Sequence, residues 1–175
     1  MNLDRPQAPA PYSILPTAAP FGVRSDDFAD GERLDRVHSG DGENLSPHLA
    51  WWGFPPETLS FYITAFDPDA PVPAGWWHWT VIDIAPETTE LPRGAGQSDL
   101  ELPGASFHLR NDGGGHAYSG PTPPAGDRAH RYYFAINALN VDTLDLDDDA
   151  TATLAAFTAL EHTIARAVIM GTYTR

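Results

Sequence analysis

Short apolar stretches between proline and glycine punctuation fill the middle of this chain and limit what it can become. Residues 49–52, 60–66, 78–84, 106–109 and 131–139 are of strand length rather than helix length, so their spacing predicts a mainly β protein. In the last of them Tyr132, Phe134, Ile136 and Ala138 share one face and Tyr133, Ala135, Asn137 and Leu139 the other. Both faces are largely apolar, the pattern of a central strand covered on two sides. A length of 175 residues suits one domain with a core of its own.

Composition removes several classes of chemistry. Cysteine is absent, so thiolate nucleophiles, cysteine-ligated zinc and iron–sulfur clusters are excluded. All ten basic residues are arginine, which leaves no lysine for a Schiff base or a phosphate loop, and 24 acidic residues bring the net charge to −14. So acidic a surface repels nucleic acid and anionic membranes at long range, and any anion must be held by a local site. No basic, apolar leader opens the sequence and no apolar run is long enough for a membrane helix, so a cytoplasmic location without membrane insertion is expected.

Residues 1–20 carry Pro6, Pro9, Pro11, Pro16 and Pro20 and read as an extended proline-rich arm ahead of a single domain over 21–175. Near the other end Leu154, Phe157, Leu160, Glu161, Ile164 and Val168 fall at helical spacing, predicting an amphipathic helix of about five turns. Asp147, Asp148 and Asp149 stand where carboxylates suit a helix start, and Gly171 where a helix stops. Arm and helix each offer a contact surface, so a homodimer is one expectation.

Polar groups gather in three loop-rich stretches, DPDAP at 67–71, GWWHW at 75–79 and the segment 111–134. They read as walls of one pocket. His130 and Tyr132 are two apart on one strand and face one cavity, whereas Arg131 points away as an ion-pair partner. Protonated His78 or His130 can donate to a phosphate oxygen, and a neighbouring carboxylate such as Asp67 favours the charged ring. Asp69 serves the backbone of its own turn or lines the pocket. Trp76, Trp77 and Trp79 surround His78, so at least one lines the cavity while another packs in the core, with Trp76 and Trp79 the candidates for the lining.

These blocks resemble the signatures of the phosphatidylethanolamine-binding protein family, the family of Raf kinase inhibitor protein, in its bacterial and archaeal branch. The motifs are DPDAP, the Trp-His-Trp step at 77–79 and GPTPPAGDRAHRYYF at 120–134. ENLSPHLAWWGFPPETLSF, with Ser46, Pro47, Trp51 and Pro55, and the ending HTIARAVIMGTYTR are similar to that branch as well. The resemblance implies a large central antiparallel sheet, a smaller second sheet, peripheral helices including a C-terminal one, and a small anion-accepting pocket. It implies ligand contacts from Asp67, His78, Asp112, Gly120, Pro121, His130 and Tyr132. Thr122 stands where many bacterial members carry cysteine, which removes any thiol role.

The expected function is therefore binding of a small anion or a phosphoethanolamine-like headgroup, with modulation of a protein partner such as a kinase as a further implication of the family. The alternative is a small-ester hydrolase using His78 or His130 as base and Asp67 as orienter. Ser119 lies near, but Ala117 breaks the Gly-x-Ser-x-Gly elbow. His78, His130 and Asp67 could also form a two-histidine, one-carboxylate metal site, although the characteristic spacings are missing. Neither cofactor nor metal is expected.

Overall fold

The computed structural model describes residues 3–175. The strands are β1 (Ala19–Pro20), β2 (Gly22–Arg24), β3 (Leu49–Trp52), β4 (Ser60–Asp67), β5 (Trp76–Ile84), β6 (Glu90–Leu91), β7 (Phe107–His108), β8 (His130–Leu139) and β9 (Thr163–Tyr173). One α-helix, α1 (Ala152–Ala159), precedes the last strand. Six strands form the large sheet in the order β1-β9-β8-β4-β5-β7, and β2-β3-β6 form the small one. All pairs in the large sheet are antiparallel except β1 with β9, in keeping with the mostly antiparallel sheet that the resemblance implies.

The two faces of β8 sort as its alternation predicts. Tyr132, Phe134, Ile136 and Ala138 join Phe61, Ile63, Trp79, Trp51 and Leu91 in the core between the two sheets. On the opposite face Tyr62, Ile82 and Leu139 pack under Ala155 and Ala159 of α1. Burying rings such as Phe134 and Trp79 contributes about 1.5–3 kcal/mol each, the main force that holds the layers together.

The C-terminal helix is shorter than its periodicity suggests. It spans only eight residues, Thr151 caps it by accepting from the Leu154 N–H at 3.1 Å, and the three aspartates lie upstream, outside its first turn. Ile164, Val168 and Gly171 belong to β9, which pairs along ten residues of β8. Gly171 is therefore no helix stop: a Cβ there would stand 2.6 Å from the Leu34 side chain. The leucine and phenylalanine counted toward a buried stripe, Leu154 and Phe157, face solvent.

The proline-rich segment is tied to the large sheet. The Arg131 guanidinium donates to the Ala8 carbonyl at 2.7 Å, the Tyr12 hydroxyl bonds Thr64 Oγ1 at 2.9 Å, and Ala19–Pro20 pairs with β9. The strap is extended except for one 3-10 turn at Pro11–Ser13, where the sequence suggested an extended arm throughout, since proline also suits the first position of such a turn.

Candidate functional site

One end of the large sheet carries the site because β4 lies between β5 and β8. That order brings the last residue of β4, Asp67, between His78 near the start of β5 and His130 at the start of β8. Gly75, at φ +66°, turns the chain back into β5, and a Cβ there would lie 2.8 Å from the Asp67 carbonyl oxygen. Only glycine combines that conformation with that approach. A cavity of about 310 Å³ opens above these strand ends. Asp67, His78, His130 and Tyr132 form its polar floor, while Pro71, Val72, Trp76, Pro123 and Pro124 give it apolar walls.

Each floor residue has a defined hydrogen-bond state. His78 Nδ1 lies 2.5 Å from the Ser119 carbonyl. A carbonyl only accepts, so Nδ1 carries the proton and Nε2 is the nitrogen left for the cavity. Burial lowers the His78 pKa below the ordinary histidine value, against the pull of that carbonyl and of Asp67 and Asp112. The free site thus holds a neutral ring with an open acceptor. The sequence suggested that a carboxylate would charge this ring; in the fold Asp67 does so for His130 instead.

His130 lies between two carboxylates, with Nδ1 2.7 Å from Asp67 Oδ2 and Nε2 2.9 Å from Asp127 Oδ2. Burial works against its charge, but the bonds and attraction of both carboxylates outweigh it, and its pKa stands above the ordinary value. Asp127 is held in turn by Arg5 of the strap, at 3.1 Å from Nη1 and 2.8 Å from Nη2. Arg5 also donates to the Asp69 carbonyl, and Arg128 to the Arg5 carbonyl. The row Asp67, His130, Asp127 and Arg5 alternates in sign and sums to zero.

Tyr132 stands between the two histidine rings, 5.1 Å from His78 and 6.5 Å from His130 between centroids. Its hydroxyl is buried and makes no hydrogen bond of normal distance and angle, although the Asp67 carboxylate lies close enough to act on it. Burial and the nearby Asp67 charge push its pKa far above the ordinary tyrosine value, so the hydroxyl is a permanent donor. A buried donor left open at the floor of a cavity is a place for a ligand oxygen.

Asp67, Trp76, His78, His130 and Tyr132 of the sequence candidates line the cavity; Asp69, Trp79, Asp112, Gly120 and Pro121 do not. Asp69 neither lines it nor serves its own turn. It is the Asp67 carboxylate that accepts the Asp69 N–H, at 2.7 Å, while the Asp69 carboxylate accepts from Arg131 Nε at 2.7 Å and Nη2 at 2.8 Å. Arg131 is thus the ion-pair partner its outward direction indicated. Trp79 is fully buried in the core. Asp112 exchanges two bonds with the Trp77 backbone, accepting its N–H at 2.8 Å and donating to its carbonyl at 3.0 Å, and so braces the strand beside His78.

Gly120 and Pro121 anchor the loop behind the pocket wall. The Gly120 N–H donates to Asn44 Oδ1 at 2.6 Å and the Pro121 carbonyl accepts the Gly40 N–H at 3.1 Å. Three participants escaped sequence reasoning: Arg5, Asp127 and the Ser119 carbonyl. The only local sign of Asp127 was a carboxylate three residues before His130 in the same loop. Among the described residues no group of three or more histidines and carboxylates is arranged to hold a metal ion.

A family model described as phosphatidylethanolamine-binding protein matches residues 24–174. The UPF0098 protein YbhB of Escherichia coli is 39% identical over 150 residues, covering 83% of this chain and 94% of that protein. The crystal structure of E. coli YbcL, described as a new member of the mammalian PEBP family, superposes with a TM-score of 0.86 at 38% identity, over 89% of this chain and 98% of that one. A mycobacterial relative named putative lipoprotein LppC is 34% identical over 159 residues, 90% of this chain and 74% of that protein. No described helix is long and apolar enough to cross a membrane.

Proposed function

The chain belongs to the phosphatidylethanolamine-binding protein family, and from that premise we propose that its cavity binds a small phosphoryl anion of the phosphoethanolamine type. One observation carries the reading: the buried, unpartnered Tyr132 hydroxyl opens beside the free Nε2 of His78. A phosphoryl oxygen can take the tyrosine proton, and a second can meet Nε2. A phosphodiester has no proton of its own, so His78 must gain one to become a donor. A phosphomonoester monoanion can donate its P–OH to the neutral ring instead. The apolar walls take the carbon part of the headgroup.

His130 is fully engaged by Asp67 and Asp127 and positions the floor rather than the ligand. The hydrolase alternative has less support, since both ring nitrogens of His130 are engaged and, among the described residues, no hydroxyl bonds the free His78 Nε2 that a base would use on a nucleophile.

Calorimetry with phosphoethanolamine and with glycerophosphoethanolamine at several pH values tests this. Saturable binding is expected for both, with the diester weakening by up to about tenfold per pH unit above the depressed His78 pKa. His78→Gln should weaken both and abolish the pH dependence of diester binding. Folded wild type that binds neither compound at any pH refutes the proposal.

A further inference from the structure

On the opposite face of the large sheet a second, small cavity of about 40 Å³ lies between the strap, the sheet and α1. Arg166 of β9 enters it half-buried. Its Nε donates to Asn137 Oδ1 at 2.6 Å, and its guanidinium carbon stands 5.2 Å from the Tyr12 ring centroid. The groups that act on its charge are the neutral phenols of Tyr12 and Tyr62. Although the chain carries 24 carboxylates, none pairs with this arginine among the described residues, unlike Arg5, Arg93 or Arg131.

Tyr62 lines the same cavity, is 4% exposed and presents a hydroxyl with no hydrogen-bond partner. Burial holds that hydroxyl's pKa well above the ordinary value, so it is a donor only. Asn137, which also lines the cavity, spends its Oδ1 on Arg166 Nε and its Nδ2 on the Tyr62 carbonyl, the latter at 3.2 Å. The remaining walls include Leu15, Ala156, Ala159 and Leu160. The cavity is thus largely apolar, with a cation that has no carboxylate partner and an idle donor among its lining residues.

We propose that this cavity is a binding site for a small monoanion, of which chloride is the type, held between the Arg166 guanidinium and the Tyr62 hydroxyl. Water could satisfy the hydroxyl but supplies no counter-charge to the half-buried guanidinium. The volume exceeds the ~10–15 Å³ that one water needs, so a chloride fits, and a single cation with one donor suits a monoanion. Tyr12 and Leu15 belong to the strap, so the bound ion would also fasten the strap to the sheet. The inference is independent of the function assigned to the larger cavity.

Bromide stands in for chloride in the test. Crystals of the full chain soaked in sodium bromide should show an anomalous peak within hydrogen-bond reach of Arg166 Nη and Tyr62 Oη, lost in Arg166→Gln. In solution, replacing sodium gluconate with sodium chloride or bromide at fixed ionic strength should raise the melting temperature saturably. The rise should be roughly 3–6 °C at tenfold above Kd. Tyr62→Phe keeps the packing and should abolish most of that rise, which keeps the test valid if Arg166→Gln fails to fold. Absence of the peak, a peak that persists in a folded Arg166→Gln, or a peak without a halide-dependent melting temperature (an adventitious ion only) overturns the proposal.

Discussion

Asp127→Asn probes the charged row beneath the pocket. Asp127 accepts four hydrogen bonds: Arg5 Nη1 at 3.1 Å and the Arg128 N–H at 2.8 Å on Oδ1, Arg5 Nη2 at 2.8 Å and His130 Nε2 at 2.9 Å on Oδ2. An asparagine can keep the first two but turns its NH2 toward Arg5 Nη2 and His130 Nε2. Two charge-assisted bonds at about 1.5–3 kcal/mol each are lost, and two donors face a third. Arg5 is 24% exposed at its side chain, so water recovers part of the loss, and a net cost of about 3 kcal/mol is expected. For a domain of this size that lowers Tm by roughly 6–12 °C.

The pH dependence gives the sharper test. Because both carboxylates hold the folded-state pKa of His130 above its unfolded value, its contribution is complete below ~6.5 and is lost as pH rises through the raised folded value. Facing an amide N–H, the ring in the variant must give up its Nε2 proton to accept, so most of this contribution goes. Denaturant titrations should show the widest gap between wild type and variant at pH 5–6 (in the ~6.5-and-below window), narrowing on the alkaline side to the part owed to Arg5. A gap that stays constant or widens with pH refutes the argument. So does additivity, since Arg5→Gln should cost far less once Asp127 is gone.

Two further outcomes follow from the same geometry. Tyr132→Phe removes a buried hydroxyl that has no partner in the free protein, so stability in urea should change by less than about 1 kcal/mol while phosphoethanolamine affinity falls roughly 10- to 100-fold by calorimetry. Gly120→Ala places a Cβ on the His38 carbonyl and 2.8 Å from the Ser39 carbonyl carbon. This backbone stretch over 38–40 must shift to make room, and the melting curve should reveal a loss of about 2–3 kcal/mol.

The parts of the site legible in the sequence were those set by strand alternation and by family-like motifs. Two-residue spacing put His130 and Tyr132 on one face, and the motifs added Asp67 and His78; all four meet at one cavity. Gly120, Pro121 and Asp112 also stood out, but motif resemblance does not separate a ligand contact from a loop anchor, and only their bonds to Gly40, Asn44 and Trp77 do so. Arg5 was unreadable for a different reason. Its partner Asp127 is 122 positions away, and nothing in a proline-rich segment says which sheet end it will cross. The assignment of Asp67 to His130 rather than His78 likewise depends on sheet order, which local pattern does not contain.

The misread last strand has a cause in packing. In β9 the residues turned inward are Ala165, Ala167, Ile169, Gly171 and Tyr173, while Ile164, Val168 and Met170 lie on the partly covered face. Small residues occupy three of these five buried positions, Ala165, Ala167 and Gly171, the last under Leu34. Hydropathy therefore shows the larger apolar groups on the wrong side, and their spacing joins that of Leu154 and Phe157 into a false helical stripe. Tertiary pairing decides the matter. β8 is buried over nearly its whole length, and a helix over 163–173 would strand the N–H and C=O groups along one edge of it without partners. Buried backbone groups must be paired, and β9 supplies ten residues of register to do so. The extended form of this segment is thus imposed by the strand beside it, and its own periodicity yields.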